Sequence, residues 1–471
     1  MTIATRTEHD SLGPHEVPAD AYWGVHTARA LTNFPISGTP VGVHRELVAA
    51  LGAVKLAAAR ANHELGLLDD RRFEAIAAAA DDVRTGKLDD QFVVDVIQGG
   101  AGTSTNMNAN EVIANRALEI LGLPRGRYDE IHPLDHVNRC QSTNDVYPTA
   151  VRLALLTVIE WLAVSTADLA ASFAAKAAEF RTVPKMGRTQ LQDAVPMTVG
   201  QELGAFAVTL LEEQARLDDS RGLLCEINLG ATAIGTGITA HPEYRRRAVA
   251  HLAEITGQPV VGAGDLVEAT SDTGAFVQVS GVLKRVVVKA SKICNDLRLL
   301  SSGPQAGFGE LQLPARQAGS SIMPGKVNPV VPEMVNQVAY WVIGNDLTVT
   351  MAAESGQLQL NAFEPIICHS LLQGFTWTAA AFDSLRELCV DGITVDAAKL
   401  AAVVAGNAGL VTALTPLLGY ARSAEIAKAA LSGAGDVRGL ALAGGGVDAD
   451  VLDALLHPET LANLEPGALR A

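Results

Sequence analysis

Hydrophobic residues recur every three or four positions along five long stretches of the chain, and few helix-breaking residues interrupt them. Val282, Val286 and Ile293 show this spacing, which places apolar side chains on one face of a helix. The five stretches are residues 148–180, 199–227, 271–300, 331–355 and 361–390. A helix of about 30 residues is about 45 Å long. The pattern therefore predicts a bundle of long, packed helices.

The segments on either side of these stretches are shorter and richer in turns. Residues 47–68 and 73–83 are Ala-rich and predict helices, whereas 99–110 predicts a loop and Glu111 the start of another helix. Together the patterns predict an all-α fold with a central long-helix bundle. We expect three domains, a mostly helical N-terminal domain (1–140), a central five-helix bundle (141–395) and a small C-terminal helical domain (396–471).

Composition adds an expectation about assembly. Of the 471 residues, 48% are hydrophobic and only 4% are aromatic, which indicates a core of Ala, Leu and Val packed between helices. A single bundle with this much apolar surface would expose too much of it, so the composition favours an oligomer. The net charge of −16 argues against nucleic acid or an anionic membrane as a partner.

Cysteine usage and the first residues bear on the compartment. The five cysteines are widely spaced and form no C-x-x-C pair, so neither a disulfide framework nor a zinc site is expected. The polar N-terminus shows no apolar core of a signal peptide. The run at 153–159 is flanked by Arg152 and Glu160 and is too short to span a bilayer. We therefore expect a soluble, cytoplasmic protein.

Four polar segments interrupt the apolar helices, and they carry the candidate chemistry. They contain, in order, Thr103; Ser142, Thr143 and Asn144; Thr189 and Gln190; and Ser320, Ser321, Lys326 and Asn328. Taken singly, such hydroxyls and amides are most simply helix caps. All four segments nevertheless share hydrogen-bond donors suited to carboxylate oxygens, which favours a common anionic ligand.

The fourth segment, residues 319–329 (GSSIMPGKVNP), is the most informative. It combines a proton acceptor, backbone N–H donors and a fixed positive charge, which a developing carboxylate dianion would need. A nucleotide-binding loop is a weaker reading, because Pro324 stands where a Walker A motif needs glycine and Val327 follows the lysine. The glycine-rich segment 230–237 also lacks dinucleotide-binding spacing. A plain surface loop is the remaining alternative.

The fourth segment also resembles a known signature. Gly-Ser-Ser-x-Met-Pro-x-Lys-x-Asn is similar to the signature of the aspartase/fumarase superfamily, whose members eliminate a group β to a carboxylate and release fumarate. GTSTNMNANEVIANRALE, HVNRCQSTNDVYPTA and KMGRTQLQDAVPMTVGQE match the other shared regions in the expected order. The resemblance extends over nearly the whole chain and implies the superfamily's three-domain helical fold.

Within the superfamily, the chain most resembles the aspartate ammonia-lyases. NFPISG, GATAIGTGI and KICNDLRLLSSGP are similar to that branch, whereas Tyr22-Trp23-Gly24 is slightly closer to the fumarases. Fumarases typically carry histidine at position 190, which helps to orient water, and Gln190 cannot titrate near neutral pH. The resemblance implies reversible conversion of L-aspartate to fumarate and ammonia; the alternative is a class II fumarase that acts on malate.

The resemblance also implies roles for individual residues. Ser320 matches the loop serine that removes the Cβ proton as an alkoxide, Lys326 a lysine that pairs with a carboxylate, and Asn328 a supporting donor. The implied substrate-binding residues are Thr103, Ser142, Thr143, Asn144, Thr189, Gln190 and Ser321, with Arg29 and Lys55 as candidates for the α-carboxylate. Arg29 and Lys55 also have the alternative of being ordinary surface charges.

Assembly and cofactors follow from the same resemblance. It implies a homotetramer whose helices form a common core and whose active sites are each shared by three subunits. No cofactor is expected to be required, and activation by a divalent cation such as magnesium is an option because some aspartases show it. No clustered carboxylates in the sequence reveal a metal site.

Overall fold

The structure is a computed structural model that describes residues 4–444 and 447–462. Helices dominate it, which confirms the predicted all-α fold class. The helices are α1 Val25–Asn33, α2 Arg45–Glu64, α3 Asp70–Arg84, α4 Thr103–Ile120, α5 Thr143–Glu179, α6 Val199–Leu224, α7 Tyr244–Thr256, α8 Leu266–Ser271, α9 Gly274–Leu300, α10 Val330–Glu354, α11 Glu364–Leu388, α12 Ala397–Ala405, α13 Thr415–Leu431, α14 Val437–Ala443, α15 Ala449–Leu455 and α16 Pro458–Leu461.

Three small two-stranded sheets accompany the helices. The strands are β1 Thr5–Asp10, β2 Gly13–Pro18, β3 Pro184–Thr189, β4 Gln192–Thr198, β5 Glu226–Ile227 and β6 Val261–Gly262. β1–β2 and β3–β4 are antiparallel, and β5–β6 is parallel. The β3–β4 hairpin occupies the third polar segment, which its composition predicted only as a connection between helices.

The five predicted long helices are present as α5, α6, α9, α10 and α11, and α5 is the longest at 37 residues. Helix α5 begins at Thr143 rather than at the predicted Pro148, which lies inside the first turns of the helix. Proline has no N–H, so the carbonyl of Asn144 loses its usual partner four residues on. The side-chain amide of Asn228 donates to that carbonyl instead (2.9 Å), which satisfies it.

The loop predicted at 99–110 is helical from Thr103 onward, so that prediction was wrong over 103–110. Helix α4 starts at Thr103, after Gly102 with a φ of 86°. A Cβ at Gly102 would lie 2.4 Å from the ring of Tyr147, so only glycine fits this turn. Asn106, Asn108 and Asn110 look like loop residues by composition, but they are buried and their side-chain amides are hydrogen-bonded.

The chain forms two compact units, each made of three separate segments. Unit 1 contains the residues up to Val164, Ala215–Val287 and Val338–Ala379; unit 2 contains Ser165–Gln214, Val288–Gln337 and the described residues from Ala380 onward. The three consecutive domains expected from the sequence are a different division of the chain, and they stay a prediction.

Each unit has its own core. In unit 1, α2 packs against α3 so closely that a Cβ at Gly52 would lie 2.6 Å from the backbone nitrogen of Arg84. The Ala-rich sequence of both helices permits this approach, because small side chains leave room for the facing backbone. In unit 2, Met186 of β3 packs with Leu410, Leu414 and Ile426 of the C-terminal helices. That core fixes the base of the β3–β4 hairpin.

Helix α5 is also apolar enough, by length and composition, to cross a membrane. The bent pair Ala397–Ala405 and Ala408–Leu418 would be a second candidate within the described residues if it were one span. The most apolar window of α5 has a mean hydropathy of 1.6, and 61% of that window is buried inside the protein, as in the core helix of a soluble protein. The helix is longer than the short run expected from the sequence, because it continues past Arg152 and Glu160.

A buried histidine pair in unit 1 leads to a pH prediction. Nε2 of His44 lies 2.9 Å from Nδ1 of His369, and burial lowers the pKa of His44 to about 4. At His44 the unfolded chain then binds more protons than the folded one between pH 6.5 and 4, so the contribution of this residue to stability falls as pH falls through that window. We expect His44 to contribute a loss of about 3 kcal/mol of unfolding free energy over it. Carboxyl groups with raised pKa values, such as Asp145 and Glu111, contribute in the opposite direction.

Urea denaturation at fixed protein concentration between pH 4 and 7 measures this loss. His44→Phe removes the titrating group, so the change in its stability between pH 6.5 and 4 should differ from that of the wild-type protein by about 3 kcal/mol, whatever the variant's absolute stability. The same pH dependence in the variant and in the wild-type protein would show that His44 does not contribute to it.

Candidate active site

Lys55 is the centre of a buried polar cluster in unit 1. It is the one charged residue in an apolar run of α2, and its side chain has no exposed surface. Its Nζ donates to Oδ1 of Asn106 (2.8 Å), Oδ1 of Asn138 (2.9 Å) and Oε1 of Gln141 (2.9 Å). An ammonium group has three donors, and here three amide oxygens accept them all. Burial lowers the pKa of Lys55 to about 7, and the nearby Asp145 opposes that shift.

The Lys55 cluster reaches the second polar segment. The amide nitrogen of Asn106 donates to Oγ1 of Thr143 (3.1 Å), the first residue of α5. Asn138 donates to the carbonyl of Gln141 (3.2 Å), which holds the turn before Ser142. Lys55, expected as a direct contact for the α-carboxylate, therefore has no N–H left over for a ligand.

Asp145 fixes the same segment from its other side. This fully buried carboxylate accepts the backbone N–H groups of Ser142 (3.1 Å), Gly230 (3.1 Å) and Thr232 (2.9 Å). Burial raises the pKa of Asp145 to about 7, although these three donors favour the ionised form. The amide of Asn144 donates to the carbonyl of Ala233 (2.8 Å). Hydrogen bonds to the glycine-rich segment 230–237 thus hold the segment that contains Ser142, Thr143 and Asn144 in place.

Of the remaining predicted residues of unit 1, Thr103 lies near the Lys55 cluster and Arg29, within the described residues, makes no contact with it. Thr103 lies one turn before Asn106 on α4, and its hydroxyl donates to the carbonyl of Gly100 (2.7 Å). Arg29 on α1 makes a two-point ion pair with Asp10 of β1 (2.8 and 2.9 Å) and also donates to the carbonyl of Gly13. No contact joins Arg29 to the Lys55 cluster among the contacts of the described chain.

Thr189 and Gln190 lie at the tip of the β3–β4 hairpin in unit 2. Thr189 pairs with Gln192, so Gln190 and Leu191 form a two-residue turn. Both have positive φ values, 54° and 64°. Such a turn normally takes Asn-Gly, because residues with a Cβ are strained in the left-handed region. Strained backbone of this kind is common at functional sites.

Leu191→Gly is expected to stabilise the protein, because glycine adopts the left-handed region without the Cβ strain of leucine. We expect a gain of about 1 kcal/mol in unfolding free energy. Leu191→Ala is the matched control: it removes the same exposed side chain but keeps a Cβ at the strained position. Urea denaturation of both variants measures the difference, and equal stability of the two would contradict the strain.

A buried ion network anchors this hairpin. Lys185 of β3 lies 2.6 Å from a carboxylate oxygen of Glu202 and 2.8 Å from one of Glu310. Arg188 lies 2.6 Å from the second oxygen of Glu310, and its guanidinium stacks on the ring of Phe308 at 4.3 Å. Lys185 and Glu310 are almost completely buried. Two cations on one strand are therefore held by the segment that leads to the signature loop.

The signature loop, residues 319–329, is exposed and closed at its neck. The N–H of Gly319 donates to the carbonyl of Lys326 (2.9 Å), and the amide of Asn328 donates to the carbonyl of Gly319 (3.2 Å). Within the loop, Oγ of Ser320 accepts the backbone N–H groups of Ile322 and Met323, each at 3.2 Å. Two N–H donors at one hydroxyl oxygen favour its negatively charged form. The side chains of Ser321 and Lys326 are exposed.

The structure thus brings together some predicted residues and adds others. In unit 1 it joins Lys55 and Thr143 through Asn106, and in unit 2 it gathers Ser320, Lys326 and Asn328 on one closed loop. Sequence reasoning assigned no role to the supporting residues Asn106, Asn138, Gln141, Asp145 and Glu310. One signal was available, because a lone lysine in the apolar run LVAALGAVKLAAA requires buried polar partners.

The described residues contain no group of three or more histidine, cysteine, aspartate or glutamate side chains arranged to hold a metal ion. Lys55 and Lys326 are the predicted cations with side-chain N–H groups not bound to a carboxylate within the described chain. In unit 2, the exposed Lys326 and the two N–H groups at Ser320 suit an anionic ligand and a proton transfer at that serine.

Family models match most of the chain. Residues 13–344 match a model described as "Lyase", and residues 410–463 match one described as "Fumarase C C-terminus". Aspartate ammonia-lyase from Pseudomonas fluorescens is 57% identical over 97% of this chain and 96% of its own length. The Helicobacter pylori (strain J99) protein of the same name is 50% identical over 99% of both chains.

Solved structures agree with these matches. Fumarate lyase:delta crystallin from Brucella melitensis, bound to cobalt, is 57% identical and superposes with a TM-score of 0.94, covering 98% of this chain and 100% of that one. Class II fumarase from Schistosoma mansoni is 34% identical, with a TM-score of 0.91 and the same coverage.

The chain therefore belongs to the aspartase/fumarase superfamily of lyases. Its full-length identity to aspartate ammonia-lyases exceeds its identity to the class II fumarase, 57% against 34%. Within the superfamily it is a carbon–nitrogen lyase of the aspartate ammonia-lyase branch.

Proposed function

We propose that this enzyme converts L-aspartate reversibly to fumarate and ammonia by anti β-elimination. The observation that carries the proposal is the environment of Ser320, whose hydroxyl oxygen accepts two backbone N–H groups on an exposed loop that also bears Lys326. A lone serine is a poor base, and N–H donors together with a nearby cation lower the pKa of its hydroxyl.

In the proposed reaction the alkoxide of Ser320 takes the Cβ proton of L-aspartate. The electron pair of the broken C–H bond moves into the β-carboxylate and gives an enediolate. That pair then forms the double bond of fumarate as the Cα–N bond breaks and ammonia leaves on the opposite face. Loop closure over the substrate excludes water and brings Lys326 to the carboxylate that gains charge, with Asn328 as a supporting donor.

The remaining polar residues bind the substrate in this proposal. Ser321, Thr103 and Thr143 are assigned to the β-carboxylate. Ser142, Asn144, Thr189 and Gln190 are assigned to the substrate's other end, with some of them near the ammonium group. The hydrogen bonds of Thr143 to the buried Asn106 and of Asn144 to the carbonyl of Ala233 support these assignments, because they hold the second segment in place without a ligand.

The leaving group is the point on which the two branches of the superfamily differ. Gln190 favours ammonia, since an amide cannot titrate to activate water and ammonia already carries a nucleophilic lone pair. Absorbance of fumarate formed from L-aspartate and from L-malate tests the proposal. We expect fumarate from L-aspartate only; turnover of malate without turnover of aspartate would establish the class II fumarase instead.

We also propose the homotetramer, with active sites shared by three subunits. Helix α10 exposes an apolar stripe within unit 1, made of Tyr340, Ile343, Leu347 and Met351, of which Leu347 and Met351 are each 62% exposed. Apolar patches of this kind mark protein interfaces. Sedimentation velocity of the wild-type protein and of Leu347→Lys tests this. A monomeric wild-type protein, or a variant that assembles equally well, would contradict the assignment of the stripe.

The proposed reaction needs no cofactor, because serine, lysine and backbone donors supply its acid–base chemistry. Activation by a divalent cation such as magnesium remains part of the proposal, and so does a cytoplasmic location. Assays with EDTA and with added magnesium measure both the basal and the activated rate. A basal rate that disappears in EDTA would show that a metal is required.

A further inference from the structure

Lys55 is a buried cation that makes no direct ion pair within the described residues, although Asp145 is near enough to raise its pKa. In the described part of the chain no carboxylate lies within ion-pair distance of its Nζ, and the groups that accept its protons are three neutral amides. Transfer of a charge into the interior is costly unless it is paired. The same chain solves this problem in the usual way at Lys185, which lies against Glu202 and Glu310.

The contrast indicates that the Lys55 cluster does more than stabilise the fold. A purely structural position of this size would be filled more favourably by an apolar side chain, or by a lysine with its own counter-charge. Lys55 instead keeps its positive charge out of contact with a carboxylate, beside the segment that carries Ser142 and Thr143. The nearby Asp145 is bound by three backbone N–H groups rather than by this lysine. Such a charge stabilises the protein best when an anion is bound nearby.

The hydrogen bonds of Lys55 fix the orientation of the polar groups next to it. An ammonium group only donates, so Oδ1 of Asn106 must face Lys55 and its amide nitrogen must face Thr143. Oγ1 of Thr143 accepts that N–H at 3.1 Å, so the hydroxyl's own proton points away from Asn106. The charge on Lys55 therefore fixes Thr143 as a donor.

We propose that Lys55 is a positioning residue, which acts through Asn106 to present the hydroxyl of Thr143 to a substrate carboxylate and supplies a buried counter-charge for a dicarboxylate. The proposal rests on the proposed function, since it assigns Thr143 to the substrate. Lys55 does not touch the substrate, because all three of its N–H groups are taken.

Binding of two related ligands tests the proposal. Succinate has two negative charges and no leaving group, so it binds without turnover, and succinamate differs from it by the loss of one charge. In Lys55→Met we expect the calorimetric affinity for succinate to fall roughly tenfold or more, as a charge several ångströms away predicts. The affinity for succinamate should fall much less. An equal fall for both ligands, or no fall, would overturn the proposal.

A second variant decides the question if Lys55→Met does not fold. Asn106→Asp keeps an acceptor for Lys55 but loses the N–H groups that Asn106 donates to Thr143 and Asn138. It places a carboxylate against Lys55, which neutralises the charge of the lysine, and offers Thr143 an acceptor instead of a donor. It should show the same selective loss of succinate binding. Lys87→Met is the control, because Lys87 is an exposed cation paired with Asp82 and should leave both affinities unchanged.

The outcomes also separate this proposal from the proposed function. Absence of fumarate formation from L-aspartate in the wild-type enzyme would contradict the proposed function. Normal turnover of L-aspartate together with unchanged succinate binding in the folded variants would overturn only the role of Lys55.

Discussion

Replacing Ser320 by alanine is expected to reduce turnover of L-aspartate by roughly 1000-fold or more, which is the range of effect for a positioned general base. The alanine has no oxygen to accept the Cβ proton. The two N–H groups of Ile322 and Met323 that now point at the hydroxyl would then have no charge to stabilise. Initial rates of fumarate formation, with circular dichroism to verify the fold, measure this loss.

The neighbouring serine is the matched control for Ser320. Ser321 is exposed, lies on the same loop and is assigned to binding of the β-carboxylate rather than to proton transfer. Ser321→Ala should therefore raise KM more than it lowers kcat. If Ser320→Ala kept a substantial kcat, or if the two variants lost the same fraction of kcat, Ser320 would not be the base.

The sequence predicted the long helices well because their signal is local. Apolar residues at three- and four-residue spacing define one face of α5, α6, α9, α10 and α11 whatever lies opposite. Errors occurred where a distant residue decides the structure. Helix α5 starts five residues before its predicted start, because Asn228 satisfies the carbonyl that Pro148 leaves free. Helix α4 starts at Thr103, because Tyr147 covers Gly102 and the buried asparagines find partners elsewhere.

In the candidate site, too, the local features were predictable from the sequence and those that depend on distant residues were not. The signature resemblance selected Ser320, Lys326 and Asn328, since their spacing within eleven residues is a local property of the chain. The sequence could not give the environment of Lys55, which depends on amides 51, 83 and 86 positions away. Nor could it give Glu310, whose partners Lys185 and Arg188 lie on a different element. Buried polar partners of this kind become visible only when the fold brings them together.

Lys55 and Lys185 are buried to a similar degree but are neutralised differently. Lys185 has two carboxylates, so its network is balanced without any ligand and serves to hold the β3–β4 hairpin. Lys55 is hydrogen-bonded only to amide oxygens, and Asp145 acts on it without a direct ion pair, so in our proposal a bound anion completes its charge balance. Removal of a partner should therefore affect mainly stability at Lys185 and mainly ligand binding at Lys55.

Glu310→Ala is accordingly expected to destabilise the protein by about 3–5 kcal/mol, the usual effect of removing one partner from a buried ion pair. It leaves Lys185 with one carboxylate and Arg188 without its 2.6 Å partner. Glu202→Ala is the matched control, because Glu202 is more exposed and pairs with Lys185 while Glu310 remains. Its cost should be about 1 kcal/mol.

Urea denaturation at one fixed protein concentration measures both variants, since stability of an oligomer depends on concentration. Glu310 supports the strand that ends at Thr189 and Gln190, so Glu310→Ala should also raise KM for L-aspartate as the hairpin tip loses its fixed position. A variant as stable as Glu202→Ala would mean that the hairpin does not depend on Glu310. If stability fell but KM did not change, Glu310 would stabilise unit 2 without positioning the hairpin tip.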